Sequence, residues 1–226
     1  MKRSLIKSLQ VSLFVVLASV GAIAAAQSEQ QKVVDLADTT LNNFLRDPQM
    51  TWLQNNIGRA KGVLIASNVV KAGFILGGSG GRAVLIVRDE KTGRWHGPAF
   101  YTLATAGVGF QAGVQVSEIV TLVMTDKGLR SLLATSVKLG PDVGIAAGPV
   151  GAGAQQDLIS DLVSFSRSKG VYGGVNLDGT AVTVADDWNR SYYGKDVQPA
   201  DIVLGNKVSN KGAAKLLADA NKGIKK

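Results

Sequence analysis

The sequence predicts an α+β fold: a curved, barrel-like, mostly antiparallel β-sheet with N-terminal helices, one internal helix and a C-terminal helix. Three observations predict it. Glycine supplies 27 of 226 residues, about 12% against a usual share of about 7%. Short β-branched and aromatic runs bounded by Gly, Pro or Asp fill the middle of the chain. Helical periodicity is confined to the two ends and one short interlude. Gly107, Gly109 and Gly113 recur at odd positions within an apolar stretch, a spacing that a bent or closed sheet uses and a flat one does not.

Taken in order, Lys2, Arg3 and Lys7 precede an apolar run from Leu9 to Ile23 and an Ala24-Ala25-Ala26 cleavage pattern. This reads as a signal peptide over residues 1–26, cleaved near Ala26; an uncleaved anchor is the alternative. The chain has no cysteine, which excludes a lipid-modified cysteine as well as disulfides. The expectation is an exported, periplasmic protein that is not a lipoprotein, with residues 27–226 forming a single domain. Val33, Val34, Ala37, Leu41, Phe44 and Leu45 then share one helical face, and Asp47-Pro48 starts a second helix through Trp52, Leu53 and Ile57. Strands follow at 63–65, 83–87, 99–103, 108–116 and 119–124. Asp126 is placed as the cap of a helix around 129–133. Val171 to Leu177 is paired with Ala181 to Ala185 through an Asp178-Gly179 turn. After Pro199 a short turn leads to a last helix.

Glycine-punctuated segments run through this framework: Lys71-Ala-Gly-Phe74, Trp95-His-Gly-Pro98, Ala106-Gly-Val-Gly-Phe-Gln-Ala-Gly113, Ala147-Gly-Pro-Val-Gly151, Ser166-Arg-Ser-Lys-Gly-Val-Tyr-Gly-Gly174 and Asn189-Arg-Ser-Tyr-Tyr-Gly194. In that order they resemble the SYLF domain family from about Leu36 to Leu217. None of these segments holds a catalytic constellation, and a non-enzymatic domain is expected. Eukaryotic members of that family bind phosphoinositides and, in fungi, actin.

Charge narrows the function. The formal net charge is +8, but from Gln27 to Leu204 acids and bases cancel. The segment Gly205 to Lys226 carries six lysines against one aspartate. A whole-surface nucleic-acid-binding field is therefore excluded, while a local basic end is present. Lys211, Lys215 and Lys222 share one side of the C-terminal helix (205–226), opposite Leu216, Leu217 and Ala220. Such a helix can lie on anionic lipid or dock on its own domain. Arg59, Lys61 and Lys71 flank the apolar stretch 63–76, where the family resemblance implies a headgroup site. These six residues are the candidate lipid-binding positions. The expected partner is an anionic phospholipid or membrane surface; an envelope protein partner is the alternative, and actin is not expected.

Enzymatic readings lack parts. A single histidine, His96, and no cysteine leave transition-metal sites and histidine-based triads unbuilt. Gly77-Gly-Ser-Gly-Gly81 lacks the Lys-Ser/Thr of a phosphate loop and reads as a tight turn between strands. Ser166-x-x-Lys169 is followed by glycines rather than the helix its nucleophile would need. No catalytic residue, cofactor or metal is expected.

Overall fold

An amphipathic helix, α1 (Glu29–Arg46), opens the fold, with the Ser28 hydroxyl accepting the Gln31 N–H as its N-cap. The computed structural model describes residues 27–73, 76–108, 113–152, 160–168 and 170–224; the predicted signal segment, Phe74, Ile75 and Lys169 lie outside them. Val34, Ala37, Leu41, Phe44 and Leu45 bury the apolar stripe of α1 against the sheet. Asp47 caps a 3₁₀ turn, Pro48–Met50, by accepting from Gln49 N, and the chain continues into α2 (Thr51–Asn56), as the Asp-Pro signal predicts.

Four long strands follow, β1 (Gly62–Gly73), β2 (Leu76–Arg88), β3 (Trp95–Val108) and β4 (Gly113–Val123); β2 pairs with both β1 and β3, and β4 pairs with the other edge of β1. Then come α3 (Asp126–Leu133), β5 (Ser136–Lys138), β6 (Ile145–Ala147), β7 (Leu162–Ser168), β8 (Val171–Gly174) and β9 (Ala181–Val184). The last elements are α4 (Asp186–Tyr193), α5 (Pro199–Val203), a 3₁₀ turn (Lys211–Ala213) and α6 (Ala214–Ile224). Among the described residues this makes six α-helices and one nine-stranded sheet, curled into a half-barrel. Its order is β5-β9-β3-β2-β1-β4-β7-β6, with β8 also on β7, and β6–β7 is its parallel strand pair. The predicted α+β class and curved antiparallel sheet are what the structure has.

Both faces of the sheet are covered over its central rows. Val63, Ile65, Val84, Ile86, Phe100, Val120 and Leu122 face α1, α2 and α6, while Leu64, Ala83, Leu85, Tyr101 and Leu103 face α3 and α5. Two buried polar side chains hold the backbone of this core. Asn189 Oδ1 accepts the Phe100 N–H at 2.8 Å, and Tyr101 donates its hydroxyl proton to Leu132 O at 2.8 Å. Two glycines permit close approach. A Cβ on Gly148 would sit 2.2 Å from the buried Phe165 ring, and one on Gly174 would sit 2.4 Å from Gly148 O.

Four local expectations change. Gly77 to Gly81 is no turn: it lies inside β2, paired with both β1 and β3, because backbone hydrogen bonds on both sides offset the strand-weakening effect of glycine. Asp178-Gly179 does not close a hairpin. β8 pairs with β7, whereas β9 pairs with β3 and β5 on the far side of the sheet. The cap of α3 is Thr125, not Asp126; its hydroxyl accepts the Gly128 N–H at 3.0 Å. The turn after Pro199 is a helix, α5, closed by a capping box between Gln198 and Asp201.

Candidate functional site: the glycine-rich end of the sheet

α1 crosses the sheet instead of running along it. Near its start, Gln31 receives the Tyr192 hydroxyl of α4, above β3; further on Thr40 donates to Glu118 of β4, and Asn43 O accepts from Tyr172 of β8. Beyond this crossing β1 to β4 continue. In addition, β1 carries one extra residue against β4, since Ala66 opposes Ile119 but Val69 opposes Ser117; such a bulge bends and twists a strand.

The antiparallel register brings the β1–β2, β3–β4 and β7–β8 connections to this one end. The separated glycine segments of the sequence are thereby gathered in space. Val70 (44% exposed), Val114 (71%), Val116 (49%) and Val171 (71%) all lie here. Val171, opposite Ser168 and so in the row of Ser117, lies on one face, whereas Val70 opposes Val116 and Ala72 opposes Val114, so those three valines share the other face. It is the helix-bearing face, because Glu118 lies two residues beyond Val116 on the same strand and reaches α1. Leu36 is also exposed, one turn before Thr40 on the same side of α1.

Residues 69–73, 76–81, 103–108 and 113–117 contain one charged side chain, Lys71. It is exposed and projects from the opposite face, in a row with Ser79 and Gln115. Within these segments of β1 to β4, this end of the sheet therefore has one apolar face and a polar reverse face with one cation. At its rim the Arg167–Glu118 ion pair, with the guanidinium 5.6 Å from the Tyr172 ring centroid, separates this surface from the covered core.

The six predicted basic residues are not brought together. Lys71 alone lies at the glycine-rich end. Arg59 and Lys61 are near the start of β1, about 30 Å away at ~3.3 Å per residue. Lys61 is held by Glu90 and by Asp126 at 3.3 Å, and the Glu90 contact is the main reason its ammonium pKa is raised. It lines an open cleft of about 440 Å³ with Arg88, Lys91, Arg130 and Leu204. That cleft also contains Asp89, Glu90 and Asp126, so its charges nearly balance. Arg59 is exposed beside Asn56.

The C-terminal helix docks on its own domain. Lys215 binds Asp38 of α1 and, at 3.1 Å, Asp219; Lys222 binds Asp219 at 2.6 Å. Asn42 donates to Asp219 at 3.0 Å. Burial raises the Asp38 pKa against the opposing pull of Lys215, whereas Lys222 first, then Asn42 and Lys215, hold Asp219 well below the usual carboxylate range. Two lysines assigned to lipid thus neutralise carboxylates inside a helix pair, while Lys211 is exposed. Val70 lies in the apolar stretch 63–76 that the sequence analysis singles out, but Val114, Val116 and Val171 were missed; the signal for the first two was an uncharged, valine-bearing strand start, Gly113-Val-Gln-Val116.

Comparison with known proteins adds a family. A profile described as Ysc84, Las17-binding protein actin regulator, matches residues 104–222. Protein YSC84 of Saccharomyces cerevisiae is 33% identical over 154 residues, covering 65% of this chain and 32% of that protein. LAS seventeen-binding protein 3 of the same species is 31% identical over 154 residues, covering 65% and 33%. The human SH3 domain-containing YSC84-like protein 1 is 29% identical over 155 residues, covering 66% and 45%. The chain therefore spans less than half of each of these relatives. The expectation that actin falls outside the partner class is corrected here: the matching profile is itself described as an actin regulator.

Proposed function

The chain belongs to the Ysc84 family, and from that premise we propose that it is a non-catalytic binding module that attaches to lipid surfaces, anionic ones preferentially, through the glycine-rich end of its sheet. The observation that carries this reading is the gathering of Val70, Val114 and Val116 on one face, with Val171 on the reverse face, at an end where residues 69–73, 76–81, 103–108 and 113–117 carry Lys71 as their single charge. Apolar surface left in water on this scale marks an interaction site. These acid-free segments of β1 to β4, with Lys71, suit a negatively charged interface, where each basic residue contributes about 1 kcal/mol. Export through the N-terminal segment remains part of the proposal.

Flotation of the full chain with phosphatidylcholine vesicles, with and without phosphatidylserine, tests it. Binding is expected to favour the anionic vesicles and to weaken with salt. Val114→Asp should abolish it, and Lys71→Ala should lower it about fivefold on anionic vesicles only. Absence of flotation with either composition overturns the reading.

A second reading, a module for a protein partner, is favoured by the family description. The partner's class would then be the actin-regulatory one that the family description carries. Co-sedimentation with actin filaments, in the absence of vesicle binding, would select it.

A further inference from the structure

On the helix-bearing face the glycine-rich end has internal relief. Gly80 opposes Val70 on one side and Ala104 on the other; Gly78 opposes Ala72 and Ala106. The middle strand, β2, thus presents no side chain at these two positions, while its neighbours present methyl groups and valine. The result is a strip floored by backbone and lined by apolar carbon. With strands ~4.8 Å apart, it is about 10 Å wide.

The next β2 residue on that face is Arg82. Its guanidinium lies 4.5 Å from the Trp188 ring centroid, and Nη1 donates to the Thr102 hydroxyl. Arg82 is half-buried, and among the described residues no carboxylate forms an ion pair with it. The other charged groups on this face behave differently: Arg167 is paired with Glu118, and Lys215 with Asp38 and Asp219. A guanidinium has five N–H donors in a planar fork. Here the indole and Thr102 fix its plane and use one donor, so the remainder stay available. An oriented arginine of this kind matches a carboxylate bidentately, which a lysine would not do.

From these features we infer that the strip binds a long-chain fatty acid, its carboxylate on Arg82 and its aliphatic chain along Gly80 and Gly78 toward the start of β2. The six-residue distance from Arg82 to Leu76 gives about 20 Å of strand, room for an extended chain. The glycines matter because a side chain at either position would occupy the path of the ligand. A Cβ on Gly80 would already lie 3.2 Å from Leu103 O. The inference deepens the lipid-surface reading, since the strip opens onto the same end of the sheet, but it concerns one monomeric ligand and not a bilayer.

Titration of the full chain with cis-parinaric acid, below the concentration at which it aggregates and without vesicles, tests this. Saturable binding is expected, with at least a tenfold loss for Arg82→Gln. The methyl ester should bind the wild-type protein at least tenfold more weakly than the acid, a comparison that needs no variant. Inorganic phosphate should not compete, because it lacks the chain. Equal binding of acid and ester, undiminished binding by a folded Arg82→Gln protein, or no saturable binding overturns the inference. Vesicle flotation by the same Arg82→Gln protein should be unchanged. Loss of fatty-acid binding with flotation intact therefore separates this inference from the lipid-surface reading.

Discussion

Replacing Gly148 by alanine tests whether the glycines are needed for close packing. The new methyl would lie 2.2 Å from Cε1 and Cζ of Phe165, whereas carbon atoms rest about 3.5–4.0 Å apart. The ring cannot swing aside freely. Phe165 is fully buried, its ring centroid is 5.9 Å from that of Trp52, and its strand is paired with β4, β6 and β8. Nor can the Gly148 backbone retreat easily, because its N–H bonds Ser164 O at 2.8 Å. Overpacking costs about 1–3 kcal/mol in typical cores, and an overlap of this size belongs at the upper end. With a urea slope of about 2 kcal/mol/M, the unfolding midpoint should fall by about 1–1.5 M. The assay is urea unfolding followed by tryptophan fluorescence, in the wild-type background and in Phe165→Leu, which removes Cε1 and Cζ. In the leucine background the alanine penalty should fall by at least half. An equal penalty in both backgrounds would refute the packing argument.

Asp219→Asn should destabilise the protein at pH 7. The Asp219 pKa is depressed in the folded state, so its stabilisation is present above its unfolded value of about 3.9 and lost as pH falls towards its folded value; the gap between wild-type and variant midpoints should narrow below about pH 4. Asn189→Ala removes the acceptor of the buried Phe100 N–H and should cost about 1–3 kcal/mol by leaving that donor unpaired, measured by the same urea titration. Tyr101→Phe removes a hydroxyl bonded to Leu132 O at 2.8 Å and should lower stability by about 0.5–1.5 kcal/mol, with no effect on vesicle flotation.

The curved sheet was legible because its cause is local: glycines among β-branched residues state where a backbone must bend or approach another. The periodicity of α1 and the Asp47-Pro48 start were legible for the same reason. Pairing was not. Asp178-Gly179 has the composition of a hairpin turn, yet Leu177 is buried in the second core and β9 finds β3, a choice made by distant surfaces. Gly77 to Gly81 looked like a turn because the sequence does not display the two partner strands that hold it extended. The site followed a similar rule. Lys215 and Lys222 were correctly placed on one helical side, and Asp219, which binds both, is close in sequence, but Asp38, the second partner of Lys215, is far away. Val114 and Val116 resembled ordinary core residues, since alternation reveals which face a side chain occupies but not whether anything covers it.

The pairing of α6 with α1 has a bearing on biosynthesis. Gly212 lies against Gln31, Asp219 against Asn42 and Gly223 against Leu45, so the two helices run side by side in the same direction though nearly the whole chain separates them. A ribosome releases α1 early, and its partner helix comes last. Until translation passes residue 224, Asp38 lacks its cation and the apolar side of α1 lacks part of its cover. The nascent polypeptide therefore cannot complete this helix pair until the segment that carries Lys215 and Asp219 has been made.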